Sequence, residues 1–215
     1  PTNGPIQAYV SAEGALGFFR VCCSTPLASG TWLMPKITVI ERGNAIENPM
    51  KWKDYGENVW GLTASDGPQQ TLQEYRGEQR PFRHYSARGA GFRENFDDGT
   101  IAPTAAASSI AFAPEIVVPC VKAMKARYGA GVYTEWGFLD SFNPTLTVRD
   151  GPLQHGKIVD GVGWVDGDYL GIDQGPIVIM TENHRSEFVW RYMRGEPNIR
   201  RALDIAGFTG GWMNG

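Results

Sequence analysis

The chain has 215 residues, enough for one domain or a large piece of one, with 42% hydrophobic and 20% charged residues. Its 20 basic and 23 acidic residues leave a formal charge of −3, and no basic run exceeds Arg200-Arg201, which excludes a phosphate-backbone track and hence nucleic acid as a partner. No apolar stretch reaches the roughly 18 residues of a membrane-spanning helix.

The chain begins PTNGP and ends GGWMNG, without an initiator Met or a basic–apolar–small leader pattern, so it is expected to be trimmed from a larger protein. Residues 20–43, RVCCSTPLASGTWLMPKITVIERG, fit neither a helical nor a strand period as a whole; ITVI within them reads as a short strand. Cys22, Cys23 and Cys120 have no metal-ligand spacing and are expected to be free or buried thiols. Residues 55–68, YGENVWGLTASDGP, carry Glu57, Trp60, Asp66 and three glycines with no period, and read as a loop. Residues 103–129 read as a helical hairpin. Pro103 and Pro114 sit in first-turn slots, where a missing N–H costs nothing. Glu115 lies near the positive end of the second dipole, Pro119 bends or restarts that helix, and Gly129 caps it. A short strand is expected in GVYTE.

The Gly-, Asp- and Trp-rich segments YTEWGFLDSFNPT and VDGVGWVDGDYLGIDQG follow as loops, and residues 175–208 form a second hairpin. Pro176 and Gly195 are expected to bound its first helix, and Pro197 and Gly207 its second, with Glu187–Arg191 as a supporting i,i+4 pair. The first of these helices opens on a continuous apolar run, IVIM, where a surface helix would show a stripe; it is expected to be an inner helix, buried on all sides.

The polar groups of these loops fall at or before helix ends. Should the helices form a ring, one face collects Glu57, Asp66, Asp98, Glu135, Asp140, Asp173 and Glu182 with Trp60, Trp136 and Trp164. Asn143, Gln174, Asn183, His184 and Arg185 add amides and donors. Carboxylates that hold hydroxyls, amides and guanidinium that donate, and flat rings that stack on sugar C–H faces together suit a carbohydrate ligand. Glycoside hydrolysis needs two carboxyls flanking the scissile bond. Asp173, between Ile172 and a Gly-Pro helix start, is placed to be partly desolvated; the structural reading of the same position is a helix-capping acid. Glu57 has a competing ion-pair reading with an Arg such as Arg88, and Asp97-Asp98-Gly99 reads as a turn. Asp166 and Asp168 loosely suggest a calcium loop but lack its twelfth-position ligand, and His84, His155 and His184 lack H-x-x-x-H pairing. No metal or cofactor is expected. No G-x-S-x-G nucleophile elbow and no GK[ST] phosphate loop is present.

Taken in order, YGENVWGLTASDGP, DDGTIAPTAAASSIAFAPE, GFLDSFNPT and LGIDQGPIVIMTENHRS resemble the glucoamylase-like domain, the C-terminal half of the endo-β-1,2-glucanases of glycoside hydrolase family 144 and their relatives. The resemblance covers roughly residues 44–213. It implies an all-α fold, part of an (α/α)6 toroid of helical hairpins with long functional loops and few short strands. It also implies inverting hydrolysis of β-linked, most of all β-1,2-linked, glucan, in a protein exported to the periplasm or cell surface, with the N-terminal half of the toroid as this chain's partner. By the same resemblance Asp173 matches a cleft acid expected to act as general base, and Glu57 is the acid candidate within this chain; the family's acid otherwise lies upstream. Where the family has a hydrophilic helical segment, this chain reads FFRVCCSTPLASG, as a shifted reading frame over residues 20–43 would produce. Two other classes fit the same loops: a non-catalytic glycan-binding module, and a transglycosylase or phosphorylase-type domain of a glucan synthase. A half ring would expose apolar faces, so the chain alone is expected to be poorly stable and weakly active.

Overall fold

The computed structural model describes residues 34–89 and 96–208, Met213, and the paired strands β1 (Gln7–Ala8) and β2 (Val21–Cys22); for residues 34–40 it describes the backbone alone. The expected reading-frame anomaly falls largely outside the described residues. Its last part, however, is ordered as helix α1 (Met34–Glu47), which takes in the ITVI stretch. That stretch is therefore helix, not strand. Four β-branched or apolar residues are too short a signal to outweigh the fourteen-residue helix around them, which places Pro35 in its tolerant first turn.

Next come β3 (Ala64–Ser65), β4 (Thr71–Tyr75), β5 (Glu78–Phe82) and β6 (Ser86–Ala87). Strands β4 and β5 form a hairpin closed by Arg76 and Gly77, both at positive φ (54° and 80°), the conformation that two-residue hairpin turns demand. The first expected helical pair is present. Helix α2 (Pro103–Ala107) and α3 (Pro114–Tyr128) each start on the proline named, Pro119 is accommodated inside α3, and Gly129 caps it at φ 50°. A 3-10 turn (Gly129–Gly131) leads into β7 (Tyr133–Thr134), within the GVYTE stretch expected as strand, and β8 (Gly137–Phe138) pairs with it from the segment expected as loop.

Strand β9 (Phe142–Asn143) pairs with β11 (Gly163–Val165), which pairs on its other side with β10 (Lys157–Val159). Among the described residues, five small antiparallel sheets thus accompany the helices. The expectation of an all-α chain is corrected accordingly: the Gly-rich connections pair among themselves instead of remaining irregular, which satisfies their backbone groups.

The second helical region departs further. Helix α4 (Gly171–Ser186) begins five residues before Pro176 and carries that proline inside it. It stops at Glu187, whose φ of 54° is left-handed, and α5 (Phe188–Gly195) and α6 (Pro197–Ile205) follow. Gly195, Pro197 and Gly207 mark boundaries as the sequence suggests. Glu187 is a helix break, and its carboxylate pairs with Arg194 at 2.8 Å, not with Arg191. The IVIM run is not enclosed: Val178 is 66% and Ile179 51% exposed, since α4 packs mainly on α2 and α5 among the described residues.

The core lies between α2, α3 and the β9–β11 sheet. Trp52, Trp60, Trp164, Phe82, Phe142, Met124 and Leu146 are all fully buried there. Side chains of this size each stabilise by about 1.5–3 kcal/mol relative to exposure. This block holds the Asp- and Gly-rich loops in place.

Candidate active site

The antiparallel register of β9 and β11 sets Trp164 opposite Asn143 and Val165 opposite Phe142. The pairing runs one step past the strands: Asp166 N–H donates to Ser141 O at 2.9 Å, and Asp140 N–H to Asp168 O at 3.1 Å. Asp140 and Asp166 are thereby brought together from loops 26 residues apart in the chain. Asp66 joins them. Its N–H donates to Asp140 Oδ2 at 3.3 Å, while Ser141 Oγ donates to both Asp66 O (3.0 Å) and Asp140 Oδ2 (2.9 Å). Asp173 arrives on the first turn of α4, which is fastened by Thr104 Oγ1 donating to Asp173 O (3.1 Å) and Gln174 Nε2 donating to Phe138 O (2.7 Å).

Four aspartates thus converge. Asp140, Asp166 and Asp173 are buried and Asp66 is half-buried. Burial without cationic partners disfavours charge. Burial pushes the Asp173 carboxyl up to about 8, aided by its hydrogen bond to Asp140 and by the charges of Asp140, Asp166 and Asp66. Asp140 is also raised, again mainly by burial, but receives the bond from Asp173 and another from Ser141. Asp173 therefore holds the proton of the pair and Asp140 the charge. Burial raises Asp166 to about 6. Asp173 Oδ2 and Asp166 Oδ2 are buried with no hydrogen-bond partner. The capping reading of Asp173 does not hold: α4 has Leu170 at its N-cap and no side-chain cap.

The remaining candidates are dispersed. Glu57 lies outside the cluster: its carboxylate pairs with Arg42, whose Nε also donates to Glu57 O at 3.2 Å. Arg88 is not its partner. Arg88 and Asp98 form a fully buried bidentate pair at 2.8 and 2.9 Å, and Asp98 also accepts from Arg83 N–H (2.8 Å) and Thr100 N–H (3.1 Å). Asp98 is a structural acid with no face left for a ligand. So is the amide of buried Asn143, which donates to Asp98 O and Thr100 Oγ1 and accepts from Thr145 and Leu146 N–H.

Trp60 and Trp164 are not stacking platforms. Both are core, and Trp164 Nε1 donates to His155 O at 2.9 Å. Trp136 is the exposed one, at 73%, on the β7–β8 turn beside exposed Glu135. Asn183 is fully buried, with Oδ1 accepting from Trp190 N–H at 3.1 Å. Glu182 accepts from Arg185 at 3.2 Å; Arg185 and His184 are exposed on the last turn of α4. A groove of about 550 Å3, lined by Lys53, Leu72, Thr145 and Val148 among others, includes none of the four aspartates.

Two titratable groups escape sequence reasoning. Asp166 figures in the sequence only as half of an incomplete calcium-loop pattern; the alternation of GWVDGD continuing a strand is the signal for its place in the cluster. Glu41 on α1 is raised by burial to about 8, offset in part by Leu62 N–H, and nothing in its local sequence marks it.

Residues 32–197 match the family model described as "Putative glucoamylase". The chain belongs to this glucoamylase family. An exo β-1,2-glucooligosaccharide sophorohydrolase (non-reducing end) from Parabacteroides distasonis is 29% identical over 168 residues, 78% of this chain and 19% of that relative. A Bacteroides uniformis structure carrying the same glucoamylase description is 35% identical, with a TM-score of 0.61 over 82% of this chain and 35% of its own. The endo-β-1,2-glucanase of Chitinophaga pinensis, solved as a sophorotriose and glucose complex, is 32% identical, with a TM-score of 0.58 over 78% of this chain and 32% of its own. This family member thus spans about a fifth of the curated relative and about a third of each of these structures.

Proposed function

We propose that this chain supplies the acid–base side of the cleft of a glycoside hydrolase acting on β-linked glucan, with β-1,2-glucan as the preferred substrate. The observation that carries this reading is the meeting of four aspartates from separate loops around Asp173, a buried carboxyl that keeps its proton near neutral pH and has an unpartnered oxygen. A buried carboxyl poised near the working pH is the form in which enzymes deploy general acids. The names of the relatives, a β-1,2-glucooligosaccharide sophorohydrolase and an endo-β-1,2-glucanase, direct the choice of linkage.

The Asp140–Asp173 pair acts as one proton-handling unit. A base must be ionised, so Asp140 is its basic member and Asp173 its acidic one; the expectation of Asp173 as base is recast in that sense. Inversion needs a second carboxyl about 6.5–9.5 Å away across a water. Asp173 is hydrogen-bonded directly to Asp140, a closer approach than that separation. The opposing carboxyl of an inverting reaction is then Glu57 or an acid from the part of the relatives' length that this chain does not span. Within the same reading, the ring of an (α/α)6 toroid covers the exposed apolar face of α4, and the parent protein works in the periplasm or at the cell surface.

The test is turnover of β-1,2-, β-1,3- and α-1,4-glucans by the full gene product and its Asp173→Asn and Asp140→Asn variants. Each variant is expected to lose about 10²–10⁴-fold in kcat on β-1,2-glucan while retaining oligosaccharide affinity. An Asp173→Asn variant within a few-fold of the parent sinks the assignment. Oligosaccharide binding without turnover in the unmodified protein leaves the glycan-binding module as the reading.

A further inference from the structure

We propose that Asp66, His155 and Asp166 form a divalent-cation site at the outer edge of the aspartate cluster, selective for first-row ions of the Mn2+ and Zn2+ kind. One ligand atom from each of these residues lies within 4.8 Å of the other two. Metal–ligand bonds of about 2.1 Å set neighbouring donor atoms about 3.0–4.2 Å apart. The 4.8 Å limit exceeds that range by at most about 0.6 Å, within reach of a rotation of the exposed His155 ring.

The three ligands are graded in depth: Asp166 is 1% exposed, Asp66 is half-buried and His155 faces solvent, so an ion has a route in and a buried anion at the end of it. Asp166 is the independent pointer to a ligand. Its Oδ1 accepts from Asp168 N–H at 3.0 Å, but Oδ2, enclosed by protein, has no hydrogen-bond partner. A buried carboxylate oxygen left without a donor is costly unless a proton or a cation completes it.

The backbone holds His155 where this site needs it. Trp164 Nε1 donates to His155 O at 2.9 Å, locking the residue to β11, the strand that leads directly into Asp166. Gly156 follows at φ +66°, and a Cβ there would sit 2.2 Å from Val165 O, so only glycine lets the two segments lie this close. One imidazole with two carboxylates is a mixed donor set. It suits Mn2+ and Zn2+ better than Ca2+, which takes six to eight oxygens. The ion joins the loop of Asp66, the β9–β11 sheet and the turn before β10, three segments otherwise tied to one another by a few hydrogen bonds.

Cation binding is measurable without any glucan turnover, so its failure is distinct from failure of the hydrolase reading. The chain, stripped with EDTA and dialysed, is titrated with MnCl2, ZnCl2 and CaCl2 by calorimetry and by thermal melting, with Mn2+ also followed by its EPR signal. The expected result is one equivalent of Mn2+ or Zn2+ bound with a raised melting temperature. His155→Ala should weaken binding by at least about tenfold, because loss of outer-shell support alone costs 10–100-fold. His84→Ala, at another exposed histidine, should leave it unchanged. Asp166→Asn should abolish binding; the exposed His155 decides the matter where that buried variant fails to fold. Absence of Mn2+ and Zn2+ binding below 1 mM, a preference for Ca2+, or unaltered affinity in His155→Ala overturns the site.

Discussion

Replacing Asp98 by Asn removes one charge and little volume, yet it should be among the most damaging single changes available to this chain. Both side chains of the Arg88–Asp98 pair are 0% exposed. Asp98 accepts four hydrogen bonds, two from the guanidinium and one each from Arg83 and Thr100 N–H. Arg88 in turn donates to Ser65 O (2.8 Å) and His84 O (3.1 Å), so the pair fixes the loop that delivers Asp66. Removing one partner of a buried ion pair costs about 3–5 kcal/mol, because the remaining charge is stranded away from water. Against a typical total stability of about 5–15 kcal/mol, that is a large fraction. With a urea dependence of about 2 kcal/mol per M, the midpoint should fall by about 2 M. Urea unfolding of Asp98→Asn, Arg88→Met and the double variant measures it. The double variant strands no charge and should cost less than the sum of the singles. A loss below about 1 kcal/mol in Asp98→Asn, or strict additivity in the double, refutes the reasoning.

Stability should fall as pH rises from about 5 to about 8 and level off above. Asp173 and Glu41 keep their protons in the folded chain up to about pH 8, whereas the unfolded chain releases them near their ordinary values of 3.8 and 4.5. The folded state therefore binds more protons in that window, and the sign is negative. Asp173→Asn and Glu41→Gln should each flatten the curve in melts run with EDTA; unchanged slopes in both count against the protonated assignments. Gly99→Ala should lower the melting temperature more than Gly77→Ala. Both glycines sit at φ +80°, but a Cβ at Gly99 meets the Trp52 ring at 2.9 Å while Gly77 has nothing within 4 Å. The shared backbone cost is about 1–2 kcal/mol, and equal shifts would remove the clash from the account. Trp136→Ala should leave urea stability within about 0.5 kcal/mol and weaken β-1,2-oligosaccharide binding about 3–10-fold in calorimetry, as the loss of one stacking face predicts; unchanged affinity takes that ring out of the cleft.

Helix boundaries were legible wherever backbone chemistry dictated them. Pro103, Pro114 and Pro197 lack an N–H that only a first turn can spare, and Gly129 takes a cap conformation others avoid. Pro176 misled for the same reason: a proline six residues into α4 is tolerated because that helix is fixed at its start by Thr104 and Phe138. Asp173, Asp140 and Asp66 were found as polar residues in unpatterned loops, and they do converge. Trp60, Trp164, Asp98 and Asn143 come from the same loops but turn inward, since local sequence carries no record of which side of a loop the core lies on. Asp166 and Glu41 depend on pairing and packing across distant segments, and composition cannot report that.

Helices α5 and α6 contain no fully buried residue, and Phe188, Tyr192, Met193 and Ile205 lie open to solvent. Their link to the remainder runs through Asn183 and the tilted contact of Trp190 with Phe112. Amide protons there should exchange with deuterium far sooner than those of α3 or β11, as expected of a weakly held cooperative unit. The opposite end of α4 is the pinned one, so the carboxyl-rich corner can keep its shape through many cycles of fraying at the chain's far end.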